Sequence, residues 1–268
     1  MPSIDEKRVY GTTTAATQLL VASEVGVVAV SVSDDIVGEF GIDHACTATD
    51  LATNGDALAV ATDEDVLVGD YEPTGHGPAA AVGVETTDDG SGVVAVAPDG
   101  TVSRLPPGAT DWRELGSVAE PHAADGALIA TADGVVRATA DGVEPVGLDA
   151  VTDVVARPVP YAATNNGLYR LGNGWQSVRE GAFTAVGTGA SGDSVVAATD
   201  EVLWHRTRTD GEDEWTRHDQ SGVAGVTVTA DLLAGVTSDG TVRVTVGDGW
   251  RSRTLGVPGV GAVVTPEQ

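Results

Sequence analysis

The residues of this chain best suited to metal or acid–base chemistry are five histidines (His44, His76, His122, His205 and His218) and one cysteine, Cys46. No two histidines stand four residues apart, as a helical zinc site requires, and only His44 is close to Cys46. A single cysteine excludes an intrachain disulfide and a zinc site built from several thiolates. In its Thr/Ala-rich surroundings Cys46 reads as a small buried apolar group. Carboxylates are abundant and often adjacent, at Asp34-Asp35, Asp63-Glu64-Asp65, Asp88-Asp89 and Asp210-Gly211-Glu212-Asp213-Glu214. Such pairs could bind Ca²⁺ or hydrolyse glycosides, yet none shows a D-x-D-x-D-G loop with a distal Glu. In a chain with 40 acids, surface hydration accounts for them.

Nucleophile and phosphate motifs are missing. No G-x-S-x-G occurs, and Ser91 and Ser191 lie in short Gly-containing turns without an evident base. The one lysine, Lys7, excludes a GxxxxGK[ST] loop. Gly187, Gly189 and Gly192 spell G-x-G-x-x-G, but the strand-like run SVVAAT follows where a pyrophosphate site needs a helix, so a turn between strands is expected. His205, Arg206 and Arg208 form a small cationic spot, expected to pair with neighbouring acids. No catalytic, cofactor-binding or metal-ligating residue is therefore assigned, and no cofactor is expected.

Charge restricts the partners. The 40 acids face 14 basic residues, for a net charge of −26, and 13 of the 14 are arginine. This excess disfavours nucleic acid and anionic membrane as partners, because both need a basic surface. At molar salt the Debye length falls to about 3 Å, and 26 surplus charges then repel weakly. Carboxylates keep a surface hydrated where long lysine stems would add apolar area. The balance suits a salt-adapted cytoplasmic protein. The start, MPSIDEKR, has no apolar stretch after its charges, and the longest apolar runs are strand-length, so neither a signal peptide nor a membrane span is expected.

The elements that must position these groups are short strands. Val, Thr and Gly dominate, and apolar runs stop at Asp, Asn or Gly and restart. Hairpins such as LLVAS-EVG-VVAV, LIAT-ADG-VVRA and YAAT-NNG-LYRL recur, each strand closing on Ser23, Thr62, Pro98, Thr131, Thr164, Thr199 or Thr237. The intervals are 39, 36, 33, 33, 35 and 38 residues. A period near 36 marks stacked supersecondary units, and that length holds four short strands. A hydroxyl at the closing position can bond the turn backbone, and Asp, Asn and Gly tolerate its left-handed conformations. Four-stranded units arranged radially form a β-propeller. The fold expected is therefore all-β: a single domain over 1–268, with seven blades of four antiparallel strands, six being the alternative.

Two further features bear on the ring. Trp112, Trp175, Trp215 and Trp250 follow their anchors by 11 to 16 residues, where a blade's outermost strand would cover the gap to its neighbour. The first two blades lack this Trp, and Val143 takes its place in the fourth. The final run GVGAVV, residues 259–264, has the position of an innermost strand, while residues before Gln18 show none. The C-terminal strand is thus expected to complete the first blade.

Over its whole length the chain resembles a family of small acidic β-propellers of unknown function from halophilic archaea, through SIDEKRVYG, VVAVSVSDD and ALAVATDEDVLVGD. That resemblance implies a fold and a habitat but no activity. The blade AATNNGLYRLGNGWQSV is similar to sensor-type and Asp-box blades, whereas WD40 and kelch signatures are missing. Two functions remain open. The first is a non-enzymatic platform for a protein partner, acting as a monomer, with the turn residues Asp63, Glu64, Asp99, Asp133, Asp200, Glu201 and Asp239 gathered on one face. The second is a small-ligand binder or lactonase-like hydrolase at the mouth of the channel. For that reading Asp43, His44, His122 and Tyr161 are the residues to place, Asp43-His44 being expected where an inner strand begins.

Overall fold

The computed structural model describes residues 16–33, 36–247 and 249–266. The opening segment with Lys7 and the pair Asp34-Asp35 lie outside the described residues. Seven sheets of four antiparallel strands make up the fold, each sheet a blade. Blade 1 contains β1 (Thr17–Ser23), β2 (Gly26–Ser33) and β3 (Ile36–His44). Blade 2 contains β4 (Ala48–Thr53), β5 (Leu58–Thr62), β6 (Val66–Val68) and β7 (Glu72–Pro73). Blade 3 follows with β8 (Ala81–Thr87), β9 (Gly90–Val96), β10 (Thr101–Leu105) and β11 (Arg113–Ser117). Blade 4 has β12 (Pro121–Asp125), β13 (Leu128–Thr131), β14 (Gly134–Ala138) and β15 (Val143–Gly147). Blade 5 has β16 (Val151–Val155), β17 (Tyr161–Thr164), β18 (Gly167–Leu171) and β19 (Trp175–Glu180). Blade 6 has β20 (Ala185–Thr188), β21 (Ser194–Ala198), β22 (Leu203–Thr209) and β23 (Glu212–His218). Blade 7 has β24 (Val223–Val228), β25 (Leu233–Thr237), β26 (Thr241–Thr245) and β27 (Arg251–Thr254). The last strand, β28 (Val263–Val264), returns to blade 1 as its innermost strand.

The repeat seen in the sequence is the hairpin that turns each blade's second strand into its third. Ser23, Thr62, Thr131, Thr164, Thr199 and Thr237 each donate their hydroxyl to a carbonyl of that turn, at 2.7 to 3.2 Å. Pro98 has no hydroxyl, and Asp99 supplies the bond instead by accepting from the Thr101 N–H at 2.9 Å. The seven acidic turn residues named above are exposed.

Second strands are buried along nearly their whole length, as in LLVAS and LAGVT, because neighbouring blades cover both faces. The core is divided into seven apolar clusters, one per seam between adjacent blades. Val, Ala and Leu fill most of them, with Tyr161 and Phe183 the largest fully buried side chains. Trp112, Trp175, Trp215 and Trp250 pack on the seams 2/3, 4/5, 5/6 and 6/7. In each case the indole reaches back to the preceding blade; the Trp175 N–H, for example, donates to the Val146 carbonyl at 3.2 Å. Val143 serves seam 3/4, Tyr71 seam 1/2 and the buried Val37 seam 7/1.

Ring closure is as expected. Val21 and Leu20 pair with Val263 and Val264. The Ala22 N–H donates to the Ala262 carbonyl at 3.0 Å, and the Glu24 N–H to Pro258 at 3.2 Å. Around the axis the inner strands approach closely. A Cβ on Gly83 would stand 2.4 Å from the Gly126 carbonyl oxygen, so a side chain there would force the strands of blades 3 and 4 apart.

Candidate functional site

Inner strands from six of the seven blades enclose a central cavity of about 550 Å³. Its polar lining includes Thr49, Asp50, Asn54, His122, Asp125, Thr152, Asp153, Arg157, Thr184 and Thr188. The three carboxylates are set by strand register. Bulges at Ala48/Asp50 and Val151/Asp153 fall at the equivalent residues Asp50 and Asp153, whose carboxylates reach the inner strand of the next blade. Asp50 accepts the Leu51 N–H at 2.8 Å and, across the seam, the Val82 N–H at 3.0 Å. Asp153 repeats the pattern three blades further on, accepting from Val154 and Val186, both at 2.8 Å. Asp125 accepts the Ala156 N–H at 2.6 Å. Each carboxylate thereby ties the inner strand of its own blade to that of the next.

These carboxyls are half-buried beside the cavity, with protein on most sides. Burial pushes Asp50 up to about 8, against the pull of the Val82 and Leu51 N–H groups and with help from Asp153 and Asp125. Asp153 is raised to about 7 for the same reasons. Asp125 is also raised by burial, with the Ala156 N–H and the Arg157 guanidinium working against it. Burial thus shifts all three acids toward their protonated form while their N–H donors hold them as braces between strands.

Of the four residues considered for the mouth of the channel, the structure places one there. His122 lines the cavity, its Nδ1 2.7 Å from the Val151 carbonyl, so that nitrogen carries the proton. Asp43 and His44 end β3, the outermost strand of blade 1, instead of starting an inner strand. Their partner is Tyr71 of blade 2, whose hydroxyl donates to Asp43 at 2.6 Å and whose ring stacks on His44 at 4.6 Å. The cause is the length of β3. Two bulges against β2 lengthen it to nine residues and carry it past the point where periodicity puts the next blade. Tyr161 opens the second strand of blade 5, is 2% exposed, and accepts a hydrogen bond from Arg206 at 3.1 Å. His44 and His122 therefore do not share a site, and the acid–base reading loses the convergence that motivated it.

Other sequence features resolve into structure. Gly189 and Gly192 form the turn between β20 and β21, with the Gly192 N–H donating to Gly189. Arg206 is buried and Arg208 grips Asp213 at 2.8 Å, so the cationic spot is spent on a neighbouring acid. Asp65 is partly buried, yet N–H groups of Gly75, Val66, Gly77 and His76 hold its carboxyl low. Among the described residues, no group of three or more His, Cys, Asp or Glu is placed to hold a metal ion. None of their helices is long and apolar enough to cross a membrane.

Sequence reading missed two groupings. One is the carboxylate ring, whose only local signal is an acid beside a Thr and an aliphatic residue, Thr49-Asp50-Leu51 and Thr152-Asp153-Val154, 12 and 11 residues before Thr62 and Thr164. The other is Ser194, whose Oγ lies 2.7 Å from His205 Nε2 in seam 6/7. Burial and the nearby His218 lower the His205 pKa. Among the described residues no hydrogen bond links His205 to a carboxylate that would orient it as a base.

Residues 3–266 match the family model described as Beta-prop_HVO_0234-like, beta propeller, and the chain belongs to that family. No curated protein matches it in sequence. Solved structures share the architecture. A functionally unknown protein from Desulfotomaculum acetoxidans superposes with a TM-score of 0.66 at 12% identity, over 93% of this chain and 98% of that one. The β-propeller domain of Cps50 (Swd1) from Myceliophteria thermophila gives 0.60 at 16%, over 80% and 88%. A chain of a nidogen/laminin complex gives 0.59 at 10%, over 92% and 97%. At these identities the likeness is one of fold.

Proposed function

We propose that this propeller is a non-enzymatic interaction platform for a protein partner, acting as a monomer in a salt-rich cytoplasm. One observation carries the reading. The exposed large apolar side chains of the described residues are Val25, Ile36, Phe40, Ile42 and Val246, and all lie on blades 1 and 7. Three of them sit on the single strand β3. In a protein of net charge −26, large exposed apolar side chains confined to two neighbouring blades are out of keeping with a purely solvating surface. The polar groups of the channel, by contrast, are occupied in bracing inner strands. The salt-rich setting is supported by the 40 acids against one lysine and by the exposed acidic turns.

The test is affinity capture in about 2 M KCl, where the Debye length of roughly 2 to 3 Å removes nonspecific attraction to the acidic surface. A protein retained at near-stoichiometric amounts by the wild type and lost with Phe40→Glu/Ile42→Glu supports the platform. Equal recovery with both proteins, or none with either, overturns it. The channel reading retains His122 alone, and a metabolite that protects the protein against thermal unfolding less in His122→Ala would favour it.

A further inference from the structure

We infer that the outer part of the seam between blades 5 and 6 binds a ligand with linked phosphoryl groups, held by Arg170 and Arg179 of blade 5 together with Arg208 of blade 6. The site is built on other blades than the exposed apolar side chains and goes beyond the platform reading, so either can fail without the other.

The first support is where the cations point. Four of the 13 arginines turn into this seam. Arg170 stands opposite Tyr161 and Arg179 opposite Leu168, both core residues of the seam. From blade 6, Arg206 stands opposite Val195 of the same core, and Arg208, two residues on, faces the same way. The carboxylates that answer them are few. Arg208 grips Asp213 at 2.8 and 3.2 Å, Arg206 lies 3.5 Å from the same carboxyl, and Asp193 is near enough to act on Arg208. Arg208, with Arg206 and Arg170 behind it, holds Asp213 below the usual carboxylate range.

The second is a shortage of acceptors. A guanidinium offers five N–H donors. Among the described residues Arg170 and Arg179 make no hydrogen bond and no contact ion pair. The Nε atoms of Arg170 and Arg206 are enclosed by protein with nothing to accept from them. The terminal nitrogens of Arg170 and all those of Arg179 remain open to solvent at half-buried side chains. A site so rich in donors is completed by a ligand that brings acceptors and negative charge.

The third is spacing and rigidity. The Arg179 guanidinium is stacked 3.6 Å over Trp204 and lies 5.2 Å from Trp215, so its N–H edges are held in place. Arg170 and Arg179 sit diagonally on β18 and β19, with backbones roughly 7–8 Å apart. A single oxyanion occupies one of these forks, whereas linked phosphoryl groups reach both, and the planar fork suits their oxygens. In molar salt the Debye length of about 3 Å hides the net charge of −26 from an approaching anion but leaves contact pairs intact.

The probe is inorganic tripolyphosphate, titrated calorimetrically into the full chain in about 2 M KCl with EDTA. One saturable site is expected, with orthophosphate weaker by about tenfold or more. Arg170→Gln and Arg179→Gln should each weaken tripolyphosphate by about tenfold or more. Arg137→Gln, which removes an exposed cation from blade 4 and changes net charge equally, should leave it within about twofold. Should a Gln variant fail to fold, Arg170→Lys or Arg179→Lys keeps the charge and removes the fork, and weaker binding at an unchanged melting midpoint supports the site. ATP bound as tightly as tripolyphosphate identifies a nucleotide's phosphate tail as the source; tripolyphosphate alone identifies an inorganic chain. No saturable binding of tripolyphosphate, an equal loss with Arg137→Gln, or equal binding of a hexaglutamate peptide overturns the inference. Capture that depends on Phe40 and Ile42 is expected to be the same whichever result is obtained.

Discussion

Seams 5/6 and 7/1 join the same kind of sheet to the same kind of sheet, yet they are built differently from axis to rim. At its inner end seam 5/6 has Asp153 bonding across to Val186, and midway the buried pair Arg206–Tyr161. At its rim the Arg179 guanidinium lies 3.6 Å over Trp204 and 5.2 Å from Trp215. Seam 7/1 has Thr227 and Thr265 hydroxyls 3.4 Å apart at the axis, then only aliphatic residues, then Phe40 beneath Arg253 at the rim. A seam between consecutive blades can be locked by polar bridges along its whole depth. The closing seam joins chain ends far apart in sequence and relies on apolar burial, with Arg253 bonding the Val37 and Gly38 carbonyls across its rim.

The largest expected effect breaks the closing seam. Removing residues 257–268 strips Val260 and Val263, each 6% exposed, and the bonds to Ala22 and Glu24. The cost should be about 4 kcal/mol or more, read from the denaturant midpoint in 2 M KCl. An unchanged midpoint would show that β28 does not close the ring.

At seam 5/6 Arg206→Ala leaves the Tyr161 hydroxyl and the Gly192 carbonyl without their donor, and a loss of about 3 kcal/mol is expected in the same assay. A loss below 1 kcal/mol would place the seam's strength in its apolar contacts alone.

The inner brace of that seam predicts a pH dependence. Asp153 titrates near 7 when folded against about 4 unfolded, so the native state holds the extra proton between those values. Its contribution is full below pH 4 and is lost as pH rises through 7, at no more than about 1.4 kcal/mol per unit. Asp153→Asn should flatten the decline of stability between pH 5 and 7; a slope equal to the wild type's would refute the assignment. The smallest effect belongs to the 7/1 rim. Arg253→Ala removes a solvent-accessible cation that stands over Phe40 and bonds the Val37 and Gly38 carbonyls, and should cost about 1 kcal/mol in the same assay; a loss above about 3 kcal/mol would show that the rim bridge carries the seam.

How much of this was legible follows from which interactions are local. The hairpin hydroxyls bond three or four residues away, so Thr62, Thr131 and Thr164 wrote their period into the sequence. The Trp column was legible because each indole recurs within a narrow span, 11 to 16 residues past its anchor. Asp43-His44 was misplaced because bulges shift where β3 ends, and a bulge has no sequence period. Asp50, Asp125 and Asp153 were hidden among 40 acids, since nothing local separates a carboxylate that braces two blades from one that hydrates a surface.

By itself the sequence determined the repeating unit, its seven anchors and the excess negative charge, which follow from composition and from contacts a few residues apart; the sheets decided seven blades over six and made the expected return of the last strand a pairing of β28 with β1. Only the tertiary structure decided which groups line the channel, which acids burial shifts toward their protonated form, and that Arg253 of β27 reaches across to β3. Those depend on side chains brought together across seams by ring closure, such as Phe40 and Arg253, 213 positions apart in the chain.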